Sequence, residues 1–324
     1  LTVVRRLRER GVGIIYVSHR MPEIFTIADR VTVLRDGAHI GTRNISEVDR
    51  ASLVTMMVGR TIEQMFPKLE TTPGPVVLET QKLSQAGSIQ DVSLQLRAGE
   101  ILGIAGLVGS GRTELALTLF GITPATCGQI VLHGRPETIT SPRKARDLGI
   151  AYIPEDRGLQ GLVRPQTIQE NIVHAILDRI SRWRFVDRNK EHSLAEQAIR
   201  TLSIRARGPT QVAGTLSGGN QQKVVISKWL GTHPKILIMD EPTRGIDVGA
   251  KSEIYALMGQ LAQQGMATIM ISSELPEVLG MSDRILVMNE GRMVAEIPRQ
   301  KATLESIGTA MTQHGTPAQK ELRQ

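Results

Sequence analysis

The sequence predicts an α/β fold, in which buried strands alternate with turns and helices. Residues 100–105 form an apolar run that leads through a glycine-rich stretch into the apolar segment 115–120. Residues 236–239 form a second apolar run of strand length, which ends at two acidic residues. Short apolar runs of this kind are consistent with strands that are buried on both faces. A repeated pattern of strand, turn, helix and strand is the third observation that favours this class.

The repeat relates the beginning of the chain to its last third. Residues 11–37 align with residues 265–291 at a constant offset of 254, without a gap and with nine identical positions. Each copy reads as a strand, a turn, the start of a helix, a second strand and a second turn. The predicted strands are residues 14–17, 31–34, 268–271 and 285–288.

The offset of 254 residues also predicts the domain organisation. Residues 76–311 form one complete copy of the unit, and residues 1–58 form the end of an earlier copy. Between them, residues 59–75 end in several prolines, threonines and a glycine, which predicts a linker. Residues 312–324 are rich in glutamine, threonine and charge, and we expect a disordered tail there. Because the chain begins with Leu1 and not with methionine, we expect a truncated start.

Composition restricts the class of protein. The 324 residues carry a net charge of +7 but contain no run of 18 apolar residues, so no membrane-spanning helix is predicted. The single cysteine, Cys127, excludes an internal disulfide and fits a reducing cytoplasm. Lysine and arginine are scattered without interleaved aromatic residues, which argues against a nucleic-acid partner. The positive charge equally suits lipid headgroups or a membrane partner.

The glycine-rich stretch has the pattern of a phosphate-binding loop. Residues 106–113 read GLVGSGRT between a predicted strand and a predicted helix, the context that G-x-x-x-x-G-K-[ST] requires. Glycines there let backbone amides approach phosphate oxygens, and the helix N-terminus adds a positive dipole end. Thr113 is placed to bind Mg²⁺ through its hydroxyl. The candidate nucleotide ligands in this loop are Gly106, Gly109, Gly111, Arg112 and Thr113.

A second glycine-rich motif, LSGGNQQ, precedes an apolar helical stretch. Ser217 is a favourable N-cap, and the glycines that follow leave backbone amides open to an anion. The candidate binding residues of this motif are Ser217, Gly218, Gly219, Asn220 and Gln221.

Two carboxylates follow the apolar run 236–239. Asp240 stands at the end of the predicted strand, where an aspartate can hold the Mg²⁺ shell. Glu241 is adjacent and can polarise an attacking water as a catalytic base. Asp247 follows in the motif GID and is a further candidate binding residue. In this order and spacing, with a phosphate-binding loop upstream, the acidic pair predicts a nucleotide site.

The motifs together resemble those of an ABC ATPase domain. Their order along the chain is GLVGSGRT, LSGGNQQ, ILIMDEPTRGID and ISSELPEV. LSGGNQQKV and DEPTRGIDVGAKSEIY look like the carbohydrate-uptake family of tandem-domain ATP-binding proteins. The resemblance covers the whole chain and implies a P-loop NTPase with a RecA-like core. It also implies an antiparallel β-subdomain near residues 76–99 and a helical signature subdomain near residues 165–212.

The resemblance assigns further roles. It implies two nucleotide-binding domains that pack head to tail. Each ATP would lie between the phosphate loop of one domain and the signature motif, here LSGGNQQ, of the other. Residues 1–58 would be the remnant of the first domain, and His19 would be its catalytic switch histidine. Residues 76–311 would be the second domain, with ATP and Mg²⁺ as cofactors.

Four positions depart from the family pattern. Arg112 replaces the lysine of the phosphate loop, and Glu155 stands where a glutamine normally follows the strand at residues 149–153. Ser273 replaces the switch histidine that the first copy keeps as His19. No aromatic residue lies between residues 66 and 120, so the usual adenine-stacking side chain is missing. Together these departures predict a degenerate site that binds nucleotide poorly and hydrolyses it slowly.

Three functions remain open from the sequence. The first is the energy-coupling subunit of a bacterial importer for a ribose-like monosaccharide or autoinducer-2, at the cytoplasmic face of the inner membrane. Its partners would be permease subunits, a periplasmic sugar-binding protein behind them, and another nucleotide-binding domain; residues 155–163 would contact the permease. The second is a non-catalytic remnant or structural half of such an ATPase. The third, a soluble tandem ATPase acting on ribosomes or DNA, is disfavoured by the sugar-type signature.

Overall fold

The computed structural model describes residues 1–18, 21–35, 37–58, 66–183 and 185–312. These residues divide into two units. The first contains Leu1–Pro67 and Ile246–Glu253, and the second contains Lys68–Gly245 and the described residues from Ile254 onward. Within the described ranges, no helix combines the length and the apolar character needed to cross a membrane.

The first unit is built on an antiparallel hairpin. Its two strands pair from Arg30 opposite Asn44 to Arg35 opposite Ala38, with a bulge after Val33. Val33 points into a small apolar cluster with Ile24 and Leu53. The elements of this unit are α1 (Thr2–Glu9), α2 (Met21–Ile27), β1 (Arg30–Arg35), β2 (Ala38–Asn44) and α3 (Arg50–Val58). The predicted strand at residues 31–34 is therefore confirmed as part of β1.

The strand predicted at residues 14–17 is wrong, because these residues pair with no strand of the described chain. Ile15 and Val17 are 96% and 93% exposed. Their repeat counterparts lie in Ala267–Ile271, a strand held between Ile236–Asp240 and Ile101–Gly106. No strand of the described chain lies beside residues 14–17 in the same way. An apolar β-rich run without partners forms no ladder.

The second unit contains two sheets and a set of helices. The predicted strands at residues 268–271 and 285–288 are confirmed as parts of β12 and β13. The strands are β3 (Val76–Gln85), β4 (Ile89–Arg97), β5 (Ile101–Gly106), β6 (Cys127–Leu132), β7 (Arg135–Glu137), β8 (Ile150–Ile153), β9 (Ser181–Arg182), β10 (Phe185–Val186), β11 (Ile236–Asp240), β12 (Ala267–Ile271), β13 (Arg284–Asn289) and β14 (Arg292–Pro298). The helices are α4 (Arg112–Leu119), α5 (Pro142–Asp147), α6 (Ile168–Val173), α7 (Leu177–Ile180), α8 (Arg188–Thr201), α9 (Gly218–Leu230), α10 (Val248–Gln263, which begins in the first unit), α11 (Leu275–Met281) and α12 (Leu304–Thr312).

The central sheet has the order β14-β13-β5-β12-β11-β8. Strands β13, β5, β12, β11 and β8 run parallel, and β14 pairs antiparallel with β13 at the edge. Every residue of β5, β8, β11 and β12 is buried. This continuous burial explains why these strands read as unbroken apolar runs in the sequence.

The second sheet is antiparallel, in the order β4-β3-β6-β7. It extends the β-subdomain expected near residues 76–99, because the chain returns after α4 to add Cys127–Leu132 and Arg135–Glu137. Apolar side chains of this sheet, of α4 and of the central sheet form one cluster that includes Leu96, Leu115 and Ile269. The expected α/β class with a RecA-like core and an antiparallel β-subdomain is therefore confirmed.

The expected helical subdomain contains α6, α7 and α8, and α9 packs against it. Thr167 begins α6 with a capping box: its hydroxyl accepts from the Glu170 amide, and the Glu170 carboxylate accepts from the Thr167 amide at 2.8 Å. Asp187 caps α8 through the amides of Asn189 and Lys190. Local side-chain signals thus fix where both helices begin.

The parallel strands place the candidate site. Strands β5, β8, β11 and β12 all end at the same edge of the sheet, because parallel strands share one direction. The segments that follow them carry the glycine-rich loop, Glu155, the Asp240–Glu241 pair and Ser272–Ser273. In open α/β sheets, ligands bind outside the carboxyl ends of the strands.

Two regional predictions fall partly on residues that the structure does not describe. Of the predicted linker, residues 59–65 lie outside the described residues, and residues 66–75 contain neither helix nor strand. Of the predicted tail, residues 313–324 lie outside them. The domain boundaries therefore stay a prediction.

Candidate functional site

The glycine-rich loop leaves β5 at Gly106 and enters α4 at Arg112. Gly109 and Gly111 have φ of +81° and +95°, a left-handed conformation that favours glycine. At Gly106 an added Cβ would lie 2.4 Å from Ser110 Oγ and 2.6 Å from the Met288 carbonyl oxygen. Gly111 stands at the N-cap of α4, where no side chain bonds the first amides. The loop therefore leaves open backbone donors at a helix N-terminus, an arrangement suited to phosphate.

Arg112 is turned toward β12. The buried guanidinium donates from Nη1 to the Ser272 carbonyl oxygen at 2.8 Å. Burial lowers the pKa of Arg112, and the negative charges of Glu241 and Asp240 oppose that shift. Because arginine is a broad planar donor, it can satisfy this carbonyl while it remains beside the two carboxylates. The cation of the loop is thus held by protein backbone.

Asp240 has one oxygen without a partner. Its carboxylate is fully buried, and its Oδ2 accepts from the Tyr152 hydroxyl at 3.3 Å. Among the described residues, its Oδ1 finds no hydrogen-bond donor. Burial raises the pKa of Asp240, while hydrogen bonds from Thr113 and Tyr152 lower it. The same burial raises the pKa of Tyr152.

The donor set of Thr113 and Asp240 fits a Mg²⁺ ion. A hydroxyl and a carboxylate with a spare buried oxygen are hard oxygen ligands, which Mg²⁺ prefers, and it normally completes its shell with water and substrate phosphate. The described residues contain no group of three or more histidine, cysteine or acidic side chains placed to hold a metal. A Mg²⁺ site here would therefore depend on the nucleotide for further ligands.

Glu241 has an unusual backbone conformation. Its φ is +48°, which is rare for a residue with a side chain, and its amide donates to the Ile271 carbonyl oxygen at 2.9 Å. Its Oε2 accepts from the Ser273 hydroxyl at 3.1 Å. Burial raises the pKa of Glu241, while the Ser273 hydrogen bond and the Arg112 charge lower it. A carboxyl with a raised pKa beside a phosphate-binding loop is suited to accept a proton from water.

Glu155 is neutralised by a neighbour that the sequence did not indicate. Its carboxylate forms an ion pair with the guanidinium of Arg244, in the loop after β11. The sequence predicts an anion facing the γ-phosphate region, and this pair compensates its charge. The segment that follows is a short π-helical turn, Arg157–Gly161, capped by Asp156.

The signature residues surround the start of α9. Ser217 is the N-cap residue, as the sequence predicts, although its side chain makes no capping hydrogen bond. Its hydroxyl oxygen accepts from the Asn220 side chain at 2.9 Å, because Asn220 folds back within the first turn. Gln221 donates to the Leu216 carbonyl oxygen at 3.0 Å. The amides of Gly218 and Gly219 are accordingly not occupied by a Ser217 cap.

Gly218 is held beside Arg157. Arg157 donates to the carbonyl oxygens of Arg244 and Gly245 at 2.6 and 3.0 Å. A Cβ on Gly218 would lie 2.7 Å from Arg157 Nη2 and 3.0 Å from the Gly245 carbonyl oxygen. A side chain at position 218 would displace Arg157, whose hydrogen bonds join the segment after β8 to the loop after β11.

Two candidate residues remain. Asp247 belongs to the first unit, where its Oδ1 accepts from the Ala250 amide at 2.9 Å at the start of α10. His19 lies outside the described residues. The structure brings Arg112, Thr113, Asp240 and Glu241 together, and it leaves the assigned roles of all candidate residues as predictions.

A family model for the ABC transporter matches residues 89–244. This range contains the glycine-rich loop, the signature and both carboxylates. The chain carries an ABC transporter ATP-binding domain. The resemblance of the sequence motifs to an ABC ATPase domain is thereby confirmed.

Relatives of this ATP-binding domain have high identity. The chain is 48% identical over 321 residues to the "Ribose import ATP-binding protein RbsA" of Halalkalibacterium halodurans, covering 99% of this chain and 64% of the relative. It is 50% identical over 306 residues to the "Ribose import ATP-binding protein RbsA 1" of Rubrobacter xylanophilus, covering 94% of this chain and 61% of the relative. The chain therefore spans less than two thirds of the length of these relatives.

Solved structures agree with the fold of the ATP-binding domain. A nucleotide-free ATP-binding cassette from an ABC transporter superposes with a TM-score of 0.62 at 23% identity, over 72% of this chain and 96% of that one. A second cassette, solved in an ADP conformation, superposes with a TM-score of 0.59 at 24% identity, over 70% of this chain and 93% of that one.

Glu277 is a residue of the ATP-binding domain that sequence reasoning missed. Its buried carboxylate accepts from the hydroxyls of Ser272 at 2.7 Å, Tyr255 at 2.5 Å, and Thr243. It therefore joins the loop after β11 to the segment after β12, next to the Ser273–Glu241 contact. The signal was present in the repeat, because Ser272 and Glu277 are identical to Ser18 and Glu23.

The first unit keeps the same arrangement. Ser18 donates to Glu23 at 3.3 Å, and Tyr16 donates to the same carboxylate oxygen at 2.7 Å. A serine five residues before a glutamate thus fixes the segment after the β-rich run in both copies. The repeat predicted domain organisation, but it also marked this structural contact.

Proposed function

We propose that this chain is part of the ATP-binding, energy-coupling subunit of a bacterial importer for a ribose-like sugar. The names of relatives with about half of their residues identical support the import role. The observation that carries nucleotide binding is the unpartnered, buried Oδ1 of Asp240, in a carboxylate that accepts from Tyr152 and is influenced by Thr113 at the glycine-rich loop. Autoinducer-2 is the other small substrate that the signature motif suggests.

The residues of this site have distinct tasks in the proposal. Open amides of the loop from Gly106 to Thr113 bind the phosphates, and the N-terminus of α4 stabilises their negative charge. Thr113 and Asp240 would hold Mg²⁺, which supplies charge neutralisation at the phosphate oxygens when bound. Glu241, oriented by Ser273, accepts a proton from the attacking water.

The proposed partners are permease subunits and, through them, a periplasmic sugar-binding protein, at the cytoplasmic face of the inner membrane. The candidate contact with the permease is the segment from Glu155 to Val163, which the family resemblance suggests and in which Leu159 is 86% exposed. Lys228, on α9, donates to the Gly161 carbonyl oxygen at 2.5 Å, and Arg157 contacts Gly218. A displacement of this segment would therefore be transmitted to both ends of the signature helix.

The domain organisation belongs to the same proposal. Residues 1–58 belong to a first nucleotide-binding domain, and residues 76–311 form the second. His19 and the signature at Ser217–Gln221 would serve the phosphate loop of that first domain. A head-to-tail pair with another nucleotide-binding domain would complete each ATP site.

The second candidate function is a non-catalytic half of such an ATPase. One contact favours it: the Arg112 guanidinium donates to the Ser272 carbonyl oxygen, whereas a P-loop lysine reaches the β- and γ-phosphates. Ser273 in place of the switch histidine adds to the same interpretation. This domain would then bind nucleotide weakly and hydrolyse it slowly.

Steady-state MgATP turnover separates the two functions. The purified chain is compared with Glu241→Gln, which keeps the size of the side chain but removes the proton acceptor. Turnover above about 0.1 s⁻¹, modest for an enzyme, that is lost in the variant supports the catalytic proposal. Equal rates in the two proteins would refute catalysis by this chain and support the non-catalytic half.

A further inference from the structure

The hairpin formed by β9 and β10 carries two exposed aromatic side chains. Its described residues, 181–183, 185 and 186, are called the aromatic hairpin below. Phe185 pairs with Arg182, and Val186 pairs with Ser181. Trp183 and Phe185 are 83% and 79% exposed, in a chain with only nine aromatic residues. Large aromatic side chains left in water at one tip mark a contact surface.

Strand alternation shows that these side chains are directed outward. Val186 packs on the cluster of Val173, Ile176 and Ile180 in the helical subdomain. Successive strand residues face opposite sides, so Phe185 and its cross-strand partner Arg182 share the outer face. The hairpin is therefore anchored by its inner face and needs no aromatic side chain for its own packing.

The surroundings of the hairpin are basic. Residues 179–190 contain five arginines or lysines and one acid, Asp187. Arg179 and Arg182 are exposed in the described structure, beside Trp183 and Phe185. Asp187 caps α8 and pairs with Lys190, and Arg188 pairs with Glu191, so the positive charge of the outer face comes from Arg179 and Arg182. The outer face thus combines aromatic rings with a net positive charge.

We propose that the aromatic hairpin binds the surface of an anionic lipid bilayer. Tryptophan and phenylalanine insert at the boundary between headgroups and acyl chains, and arginine side chains reach anionic headgroups. Each basic residue near such a surface adds to the attraction, which salt weakens. This contact goes beyond the nucleotide site and would orient the helical subdomain at the membrane.

The chain provides its own probe for the test. Trp183 and Trp229 are its only tryptophans, and Trp229 makes an edge-on contact with the Phe120 ring at 5.3 Å. In a Trp229→Phe variant, fluorescence reports Trp183 alone. Vesicles of phosphatidylglycerol and phosphatidylcholine in equal amounts should shift its emission to the blue. Pure phosphatidylcholine vesicles should leave it unchanged, and added salt should reverse the shift.

Co-sedimentation of the wild-type chain with the same vesicles gives the affinity without the tryptophan substitution. Replacing Arg179 and Arg182 by glutamine should weaken binding about 30-fold, given about 1 kcal/mol for each basic residue. Trp183→Ala should also weaken it. The matched control replaces Arg135 and Arg143, which are exposed elsewhere in the same unit, and should retain wild-type binding.

Three results would overturn the proposal. They are no binding to anionic vesicles, equal binding to both vesicle types, or an equal loss in the Arg135 and Arg143 control. If the chain bound neither kind of vesicle, the aromatic hairpin would instead be assigned to contact with a protein partner. Titration of ATP into the arginine variants separates this proposal from the nucleotide function, because the hairpin substitutions should leave ATP affinity unchanged.

Discussion

Glu277 provides a strict test of how the two loops at the candidate site are held. In a Glu277→Ala variant, the buried hydroxyls of Ser272, Tyr255 and Thr243 lose their acceptor. At about 1 kcal/mol for each hydrogen bond, the expected loss is about 3 kcal/mol, before any cost of the cavity left behind. For a unit of this size, that loss lowers the melting temperature by about 6–12 °C.

The assay is differential scanning calorimetry of the whole chain, with Glu277→Gln as the matched variant. Glutamine keeps one oxygen that can accept from Tyr255 and Thr243, so its loss should be clearly smaller than that of alanine. If alanine lowered the melting temperature by less than about 2 °C, the three hydrogen bonds would not stabilise this unit as the geometry implies. A glutamine variant as unstable as alanine would show that charge, and not the count of acceptors, is decisive.

Two further predictions concern packing and pH. Burial lowers the pKa of Lys228 to about 8 from its ordinary 10.5, so between these values the unfolded chain binds more protons and the free energy of unfolding rises with pH. The melting temperature of the wild type should therefore rise relative to that of Lys228→Met over this pH range, and parallel curves would contradict the shift. Gly106→Ala should lower the urea midpoint of unfolding more than Gly109→Ala, because a Cβ at Gly106 would lie 2.4 Å from Ser110 Oγ. A Cβ at Gly109 would meet nothing within 4 Å, so alanine there costs only the strain of the left-handed backbone, about 1–2 kcal/mol. The reverse order of midpoints would refute the clash at Gly106.

The elements around the candidate site could be predicted from the sequence wherever the local pattern determines the structure. The run from Glu100 to Thr113 contains a strand, a glycine turn and a helix start, and each is fixed by residues near it in the chain. The same holds for the strand that ends at Asp240 and for the helix that begins at Gly218. Short-range signals were sufficient for these elements.

Contacts between distant segments were not predictable in this way. Arg112 reaches a carbonyl 160 residues later, and Arg244 neutralises Glu155 across 89 positions. Neither pairing leaves a pattern in the local sequence, because it depends on which strands end side by side. The strand predicted at residues 14–17 failed for the related reason that a strand needs neighbouring strands, and none pairs with these residues in the described chain.

The central claim is that the second unit holds a nucleotide site whose loop cation is turned toward β12. The most direct test is equilibrium titration of MgATP into three proteins: the wild-type chain, Arg112→Lys and Arg112→Ala. In Arg112→Lys, the hydrogen bond from Arg112 to the Ser272 carbonyl oxygen is lost, and the lysine can reach the phosphates. A charge-assisted hydrogen bond of about 1.5–3 kcal/mol corresponds to at least about tenfold tighter binding of MgATP. The account predicts weak binding by wild type, that gain for lysine, and no gain for alanine. Unchanged or weaker binding by the lysine variant would contradict it.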